Sequence, residues 1–143
     1  MMNEDSKPKL SPDRAKGNVR DVVACVVADG AGRVLVGLRP ADKRHGGLWE
    51  FPGGKVRSNE TLAEAADREL QEELSLRVVD AAPHAEFTAS DPGSEFRILF
   101  LRVRVEGTPT PNEHDALLWF DTSLDDPRDF APADRAFIRS LVP

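Results

Sequence analysis

The sequence predicts an α/β protein of the α+β type, with a mixed β-sheet flanked by helices. Apolar runs of strand length recur along the chain with turn residues between them. One segment carries apolar residues at helical spacing behind a capping box, and a proline opens a second helical pattern near the end. A length of 143 residues fits a single domain with a sizeable core.

The first two strands are predicted to form a β-hairpin. Residues 21–28 are apolar and rich in valine, residues 29–32 have turn chemistry, and residues 33–38 are apolar again. A polar loop at 39–47 leads into a short strand, LWEF, which stops at the Pro-Gly-Gly of residues 52–54. Because glycine lets the backbone approach another group closely, this stop is predicted to be a ligand-facing turn.

The best-defined element is a helix from about Thr61 to Leu74. Thr61 and Glu64 have the spacing of a capping box, in which each side chain accepts from the other residue's backbone N–H. The apolar residues that follow recur at 3.6-residue spacing and predict a buried stripe: Leu62, Ala65, Ala66, Leu70 and Leu74.

The second half of the chain predicts three more strands and a closing helix. Two strands are expected near 85–89 and 96–105, with a turn at 91–93 between them. Residues 117–120 predict another strand. Pro132 stands at a first helical position, ahead of an apolar pattern that predicts the last helix.

Composition excludes several classes of partner. A net charge of −6 argues against a nucleic-acid polymer, and no apolar run approaches the roughly 20 residues of a membrane span. Residues 1–18 are polar and without periodicity, which predicts a flexible N-terminal tail ahead of a domain at 19–143. The start lacks the apolar stretch of a secretory signal, and Cys25 alone cannot make an internal disulfide, so a cytoplasmic protein is expected.

Three carboxylates near the end of the predicted helix are the main chemical signal. Glu69, Glu72 and Glu73 follow at helical spacing, so their side chains share one face about 5–6 Å apart. Like charges at this distance are destabilising unless a cation lies among them. A hard divalent metal ion suits such oxygen ligands.

The surrounding pattern resembles the Nudix box, the signature of Nudix hydrolases. Its fixed points are Gly54, Glu60, Arg68-Glu69-Leu70, Glu72-Glu73 and Leu76, and Ser75 stands where the family usually has glycine. The flanking LWEFPGGK, NEHDALLW and FAPAD segments are similar to the MutT-type branch, which includes 8-oxo-dGTP and CTP pyrophosphohydrolases. The resemblance implies an α/β/α Nudix fold containing the Nudix loop and helix.

The resemblance also implies a set of metal ligands and supporting residues. In this family the loop and helix bind Mg²⁺, for which Mn²⁺ can substitute, and the metal bridges substrate phosphates and activates water. Glu60 and Arg68 match the pair that orients the ligand helix. Glu113 matches a fourth carboxylate that serves as metal ligand or general base. The implied metal ligands are Gly53 through its carbonyl, Glu69, Glu72, Glu73 and Glu113.

Three further residues are candidates for substrate binding. Arg39 matches an arginine that reaches the substrate phosphates, and Lys55 lies where it can offset phosphate charge. Asp134 falls in the segment that recognises the base in MutT-type enzymes. An ionised aspartate only accepts hydrogen bonds, which suits both the cytosine 4-amino group and the guanine N1–H with its 2-amino group. The alternative for Asp134 is an N-cap-type aspartate in the first turn of the last helix.

The favoured function is a Mg²⁺-dependent pyrophosphohydrolase that converts a nucleoside triphosphate and water to a nucleoside monophosphate and diphosphate, cleansing the nucleotide pool. One alternative is an ADP-ribose-type Nudix enzyme, because Pro92 follows Leu76 by sixteen residues. Another is a non-catalytic Nudix-fold module that binds a nucleotide, although such modules commonly lose the box carboxylates. The expected partner is a small nucleotide, and the protein is expected to be a monomer or homodimer.

Other residues are not predicted to contribute to the site. Trp49, Trp119, Phe87 and Phe96 are expected in the core, and Cys25 is expected to be an inert buried thiol. The three histidines, His45, His84 and His114, show no recognisable metal-binding spacing.

Overall fold

The computed structural model describes residues 19–123, 126 and 128–141, so the predicted tail lies outside the described residues. The strands are β1 (Val19–Val27), β2 (Arg33–Leu38), β3 (Trp49–Glu50), β4 (Gly53–Lys55), β5 (Arg77–Asp91), β6 (Ser94–Glu106) and β7 (Ala116–Asp121). The helices are α1 (Leu62–Leu74) and α2 (Pro132–Ser140). Within the described ranges, neither helix is long and apolar enough to cross a membrane.

The strands divide between two sheets. The larger is mixed, with the order β4-β1-β6-β5, in which β1 runs parallel to β6 and the other neighbours are antiparallel. The smaller is antiparallel, with the order β3-β2-β7. The predicted α+β class with a mixed sheet is confirmed.

The predicted hairpin of the first two strands is wrong. β1 and β2 belong to different sheets, although a bridge between Ala28 and Val34 and a hydrogen bond from the Asp29 N–H to the Arg33 carbonyl close the turn between them. The physical reason lies in β1, where every residue from Val23 to Val27 is buried. A strand that is buried on both faces is central, and it takes its two neighbours from distant parts of the chain. Local turn chemistry at 29–32 could not reveal this.

The hairpin of β5 and β6 is confirmed, with its turn at residues 92–93. β5 is much longer than the predicted 85–89, because two register shifts let it continue past irregular positions. One shift lies between Pro83 and Ala85. Proline cannot donate to a strand ladder, and β5 is the edge strand of its sheet, where a missing donor is tolerated.

The core forms on both faces of the larger sheet. Val23 and Cys25 of β1 point to one face and pack with Leu70 of α1, whereas Ala24 and Val26 point to the other and pack with Phe137 of α2. The two helices therefore cover opposite faces, as an α/β/α sandwich requires. The Cys25 thiol is fully buried, and burial raises its pKa, so the expectation of an inert thiol agrees with the structure.

The end of α1 explains why serine is tolerated in place of glycine. Ser75 is left-handed, with φ 59° and ψ 34°, a conformation that favours glycine. The side-chain amide of Asn112 donates to Ser75 Oγ at 3.0 Å and to the Glu72 carbonyl at 3.1 Å. Its backbone N–H donates to the Glu73 carbonyl at 3.0 Å. Asn112 thus satisfies the last turn of α1 and gives the serine hydroxyl a partner.

We expect Ser75→Gly to change the free energy of unfolding little, because relief of about 1 kcal/mol of backbone strain is offset by loss of the Asn112 contact. In an Asn112→Ala background the same change should stabilise the protein by about 1 kcal/mol. Urea denaturation of the four proteins measures this difference. Equal effects of Ser75→Gly in both backgrounds would show that the hydroxyl contact contributes nothing.

Candidate active site

The turn that leads into β4 lies very close to both β1 and α1. Gly53 has φ +152°, and a Cβ on it would be 2.0 Å from the Val23 carbonyl oxygen. A Cβ on Gly54 would be 2.2 Å from Glu69 Oε2. The clash at Gly53 is with backbone, so a side chain there would displace β1 or β4, whereas the clash at Gly54 is with the end of the Glu69 side chain. The close approach of this backbone is confirmed, although Gly53 and Gly54 are themselves part of β4 and pair with β1, and the ligand-facing role stays a prediction.

Glu73 is a buried carboxylate beside this turn. Its side chain hydrogen-bonds Glu69, and its Oε1 accepts from the Gly53 N–H at 3.4 Å. Burial raises the pKa of Glu73 to about 10, and the hydrogen bond and charge of Glu69 together with the charge of Glu50 add to the effect. Without a cation, burial and the neighbouring carboxylates therefore favour the protonated form of Glu73.

Arg68 joins the helix to the loop before it. Its Nε and Nη2 donate to the two carboxylate oxygens of Glu60 at 2.6 and 2.9 Å, and Nη2 also donates to the Lys55 carbonyl at 2.9 Å. Nη1 donates to Glu69 Oε2 at 3.0 Å and lies 3.7 Å from Glu72 Oε1. The hydrogen bonds from Arg68 lower the pKa of Glu60 to about 2, so the pair is ionised at neutral pH.

Glu50 of β3 belongs to the same acidic region, although the sequence did not single it out. Its Oε2 lies 2.9 Å from His114 Nε2, and its Oε1 lies 3.5 Å from Arg39 Nη1. A glutamate within the short apolar run LWEF was a usable signal, because a charged residue there needs a partner. The spacing of His114 in the sequence predicts no metal site, and a contact with a single carboxylate needs no such spacing.

Asp134 lies in the first turn of α2, but it does not cap that helix. The N-cap is Ala131, without a side-chain hydrogen bond, so the alternative of an N-cap-type aspartate is wrong. Asp134 Oδ2 instead accepts from the Phe51 N–H at 2.9 Å. Backbone bonds from Trp49 to residues 129–131 hold the start of α2 beside β3 and make this contact possible. Burial raises the pKa of Asp134 to about 7. The hydrogen bond from Phe51 lowers this pKa, and the charge of Glu50 raises it further.

Comparison with known proteins identifies the arrangement. Residues 18–141 match the family model described as NUDIX domain. The chain belongs to the Nudix family. The Nudix assignment made from the box residues is confirmed, and the protein is a Nudix hydrolase. Nudix hydrolases generally use divalent metal cations and act on small nucleotide substrates.

Two relatives and a solved structure resemble this Nudix hydrolase over most of its length. The CTP pyrophosphohydrolase of Escherichia coli K12 is 36% identical over 127 residues, which is 85% of this chain and 90% of that protein. The 8-oxo-dGTP diphosphatase of Haemophilus influenzae is 28% identical over 122 residues, 85% of this chain and 90% of that protein. The crystal structure of a MutT NUDIX hydrolase from Burkholderia pseudomallei superimposes with a TM-score of 0.77 at 26% identity, covering 87% of this chain and 98% of that one.

The carboxylates of α1 are chemically suited to the divalent cation of a Nudix hydrolase. Glu69 and Glu73 lie together at the glycine turn, and their oxygens are the ligands that hard cations prefer. A cation there would take the place of the proton on Glu73. Among the described residues, no three acidic, histidine or cysteine side chains are already gathered in a metal-binding arrangement. Glu69 and Glu72 also face Arg68, whose Nη1 lies 3.0 Å from Glu69 Oε2 and 3.7 Å from Glu72 Oε1.

Other predicted site residues are not brought into contact with this cluster. Glu113 and Lys55 are exposed, and no described hydrogen bond or ion pair links either side chain to Glu69, Glu72 or Glu73. Gly53 contacts Glu73 through its N–H, and its predicted carbonyl role stays a prediction. Arg39 lies at the Glu50 end of the region rather than at α1.

Asp134→Asn should flatten the pH dependence of stability. The folded-state pKa is raised from 3.8 to about 7, so the stability that goes with the protonated form is full below 3.8 and is lost as the pH rises through 7. Asparagine keeps an acceptor for the Phe51 N–H and cannot ionise. Thermal unfolding of both proteins between about pH 4 and 8 measures the difference. Since Glu73 also has a raised pKa in both proteins, only the gap between the two curves reports on Asp134. Parallel curves would contradict the prediction.

Proposed function

We propose that this Nudix hydrolase is a Mg²⁺-dependent nucleoside triphosphate pyrophosphohydrolase, with products nucleoside monophosphate and diphosphate. The observation that carries the proposal is the Gly53-Gly54 backbone lying against Glu69 and Glu73, with Arg68 joining the helix to the loop. Phosphoryl transfer depends mainly on positioning the substrate and on neutralising the charge of its phosphates. Carboxylates that bind a divalent cation provide both. Mn²⁺ is expected to substitute.

Each residue has a role in this proposal. Glu69, Glu72 and Glu73 hold the metal, with the Gly53 carbonyl and Glu113 completing its ligands. The bound metal supplies charge neutralisation at the phosphates and a water of lowered pKa. Arg68 and Glu60 act as positioning residues, because their ion pair fixes the helix against the loop at 2.6 and 2.9 Å. Arg39 and Lys55 bind the phosphates.

The proposed substrates are 8-oxo-dGTP and CTP-type nucleotides, and the proposed role is sanitising the nucleotide pool. Relatives named for both substrates match most of the chain. Asp134 is the proposed base-reading residue, and the hydrogen bond from the Phe51 N–H to its Oδ2 at 2.9 Å fixes the position of its carboxyl group. The ADP-ribose alternative is weaker, because Pro92 is an exposed residue of the β5–β6 turn, beside Gly93 with φ 81°. Turn chemistry alone explains a proline there.

Substrate choice is tested by pyrophosphate release with Mg²⁺ from 8-oxo-dGTP, dGTP, CTP, dCTP and 5-methyl-dCTP, with ADP-ribose followed as AMP. We expect kcat/KM to be highest for an oxidised purine or a cytosine nucleotide. Asp134→Asn should lower kcat/KM for the preferred nucleotide more than it lowers kcat/KM for the other triphosphates. Turnover of ADP-ribose alone would overturn the proposed function and direct attention to Pro92.

Glu73→Gln should lower Mg²⁺-dependent kcat/KM by about a hundredfold or more, because an amide cannot replace an anionic ligand. The variant should fold at least as stably without metal, since it removes a buried carboxyl with a pKa of about 10 and keeps an acceptor for the Gly53 N–H. Thermal unfolding with and without Mg²⁺ supplies a second readout: the metal should raise Tm for the wild type only.

Glu95→Gln is the matched control for that variant. Glu95 is exposed near the start of β6, and the same loss of one charge there should leave both turnover and the Mg²⁺ effect on Tm unchanged. Full activity of Glu73→Gln would contradict the assignment of the metal to α1.

A further inference from the structure

The His114 ring fills the space beside Gly37 of β2 that a side chain at position 37 would need. Gly37 pairs across the smaller sheet with Glu50 on one side and Leu117 on the other. A Cβ on Gly37 would lie 2.6 Å from Cγ and Cδ2 of the His114 ring. The imidazole therefore lies directly over the β2 backbone, and from there its Nε2 reaches Glu50 Oε2 at 2.9 Å. Because Gly37 of β2 has no side chain, His114 in the connection before β7 can reach Glu50 of β3.

The buried ring is committed to this contact. The His114 side chain is 4% exposed, and Nδ1 is the one buried side-chain nitrogen or oxygen without a hydrogen-bond partner among the described residues. Because Nδ1 has no hydrogen-bond partner and Nε2 faces a carboxylate, we assign the ring proton to Nε2, which then donates to Glu50. Among the described residues, the buried ring is therefore held by one hydrogen-bonding contact, that of Nε2 with Glu50.

Glu50 also contacts Arg39, so the orientation of its carboxylate affects the position of the guanidinium. The second carboxylate oxygen, Oε1, lies 3.5 Å from Arg39 Nη1, and Arg39 Nε donates to the Arg44 carbonyl at 2.8 Å. The backbone of Arg39 is bonded to Leu48 and Gly47, which closes the loop at its base. A guanidinium has five N–H donors in a rigid fork, so these contacts orient it and leave donors for an anion.

We propose that His114 is a positioning residue that, through Glu50, orients the Arg39 guanidinium for the phosphates of the substrate. The inference rests on the proposed function, in which Arg39 binds those phosphates. It assigns roles to Gly37, Glu50 and His114, which lie outside the box. The connection before β7 thus contributes to the site through the buried His114 as well as through its exposed neighbour Glu113.

A double-mutant cycle in kcat/KM tests the chain of contacts. His114→Ala should lower kcat/KM about tenfold, mainly by raising KM. In an Arg39→Ala background the same change should cause little further loss, because the residue acts through Arg39. His114→Gln should restore much of the activity, since its amide can donate where Nε2 does. Gly37→Ala, which displaces the ring, should resemble His114→Ala.

His84→Ala is the matched control, because His84 is an exposed histidine of β5 and should leave kcat/KM unchanged. An Arg39 readout independent of turnover is hydrogen exchange of its Nε–H, followed by ¹⁵N NMR. Exchange should be faster in His114→Ala than in the wild type and His114→Gln.

The outcomes separate this inference from the proposed function. Additive losses in the cycle, or Arg39 exchange unchanged by His114→Ala, would overturn the positioning role while triphosphate turnover by the wild type still stands. A wild type that turns over no nucleoside triphosphate would overturn the proposed function, and with it the phosphate role of Arg39. Faster Arg39 exchange in such a protein would support only the contact chain from His114 to Arg39.

Discussion

The close approach of the glycine turn to β1 and α1 is the constraint on which the rest of the site depends. A Cβ at Gly53 or Gly54 would overlap the Val23 carbonyl or the Glu69 carboxylate. With glycine at both positions, the backbone N–H of Gly53 reaches Glu73, and the neighbouring Lys55 carbonyl accepts from Arg68. The helix, the loop before it and the central strand are thereby held in one arrangement, and Glu73 of α1 is buried against the backbone rather than exposed to solvent.

Electrostatics then divides the acidic residues into two groups. Glu60 is ionised because Arg68 donates two hydrogen bonds to it. Glu73 and Asp134 have raised pKa values, chiefly through burial, and the charge of Glu50 adds to both. One group is therefore ionised and paired with arginine, and the other is buried and favours the protonated form. A divalent cation, which Nudix hydrolases generally use, would compete with the proton for a carboxyl of the second group.

Local patterns were reliable where the interaction is itself local. The capping box of Thr61 and Glu64 and the β5–β6 turn formed as expected, because each depends on residues a few positions apart. Pairing between β1 and β2 was wrongly expected from the turn between them, since the choice of strand partner depends on burial of both faces of β1. The contact of Asp134 with Phe51 crosses 83 positions of sequence, and no short pattern contains it.

The sequence by itself determined the family, the α1 helix and the identity of the acidic residues on it, because these are encoded in residue types at fixed short spacings. Only the tertiary structure decided which carboxylates are buried, which are paired, and that Glu50 and His114 join Arg39 in one chain of contacts. The physical reason is that burial and pairing are set by what packs from other elements. The His114 ring can lie over β2 only because Gly37 of that strand has no side chain and leaves space for the ring.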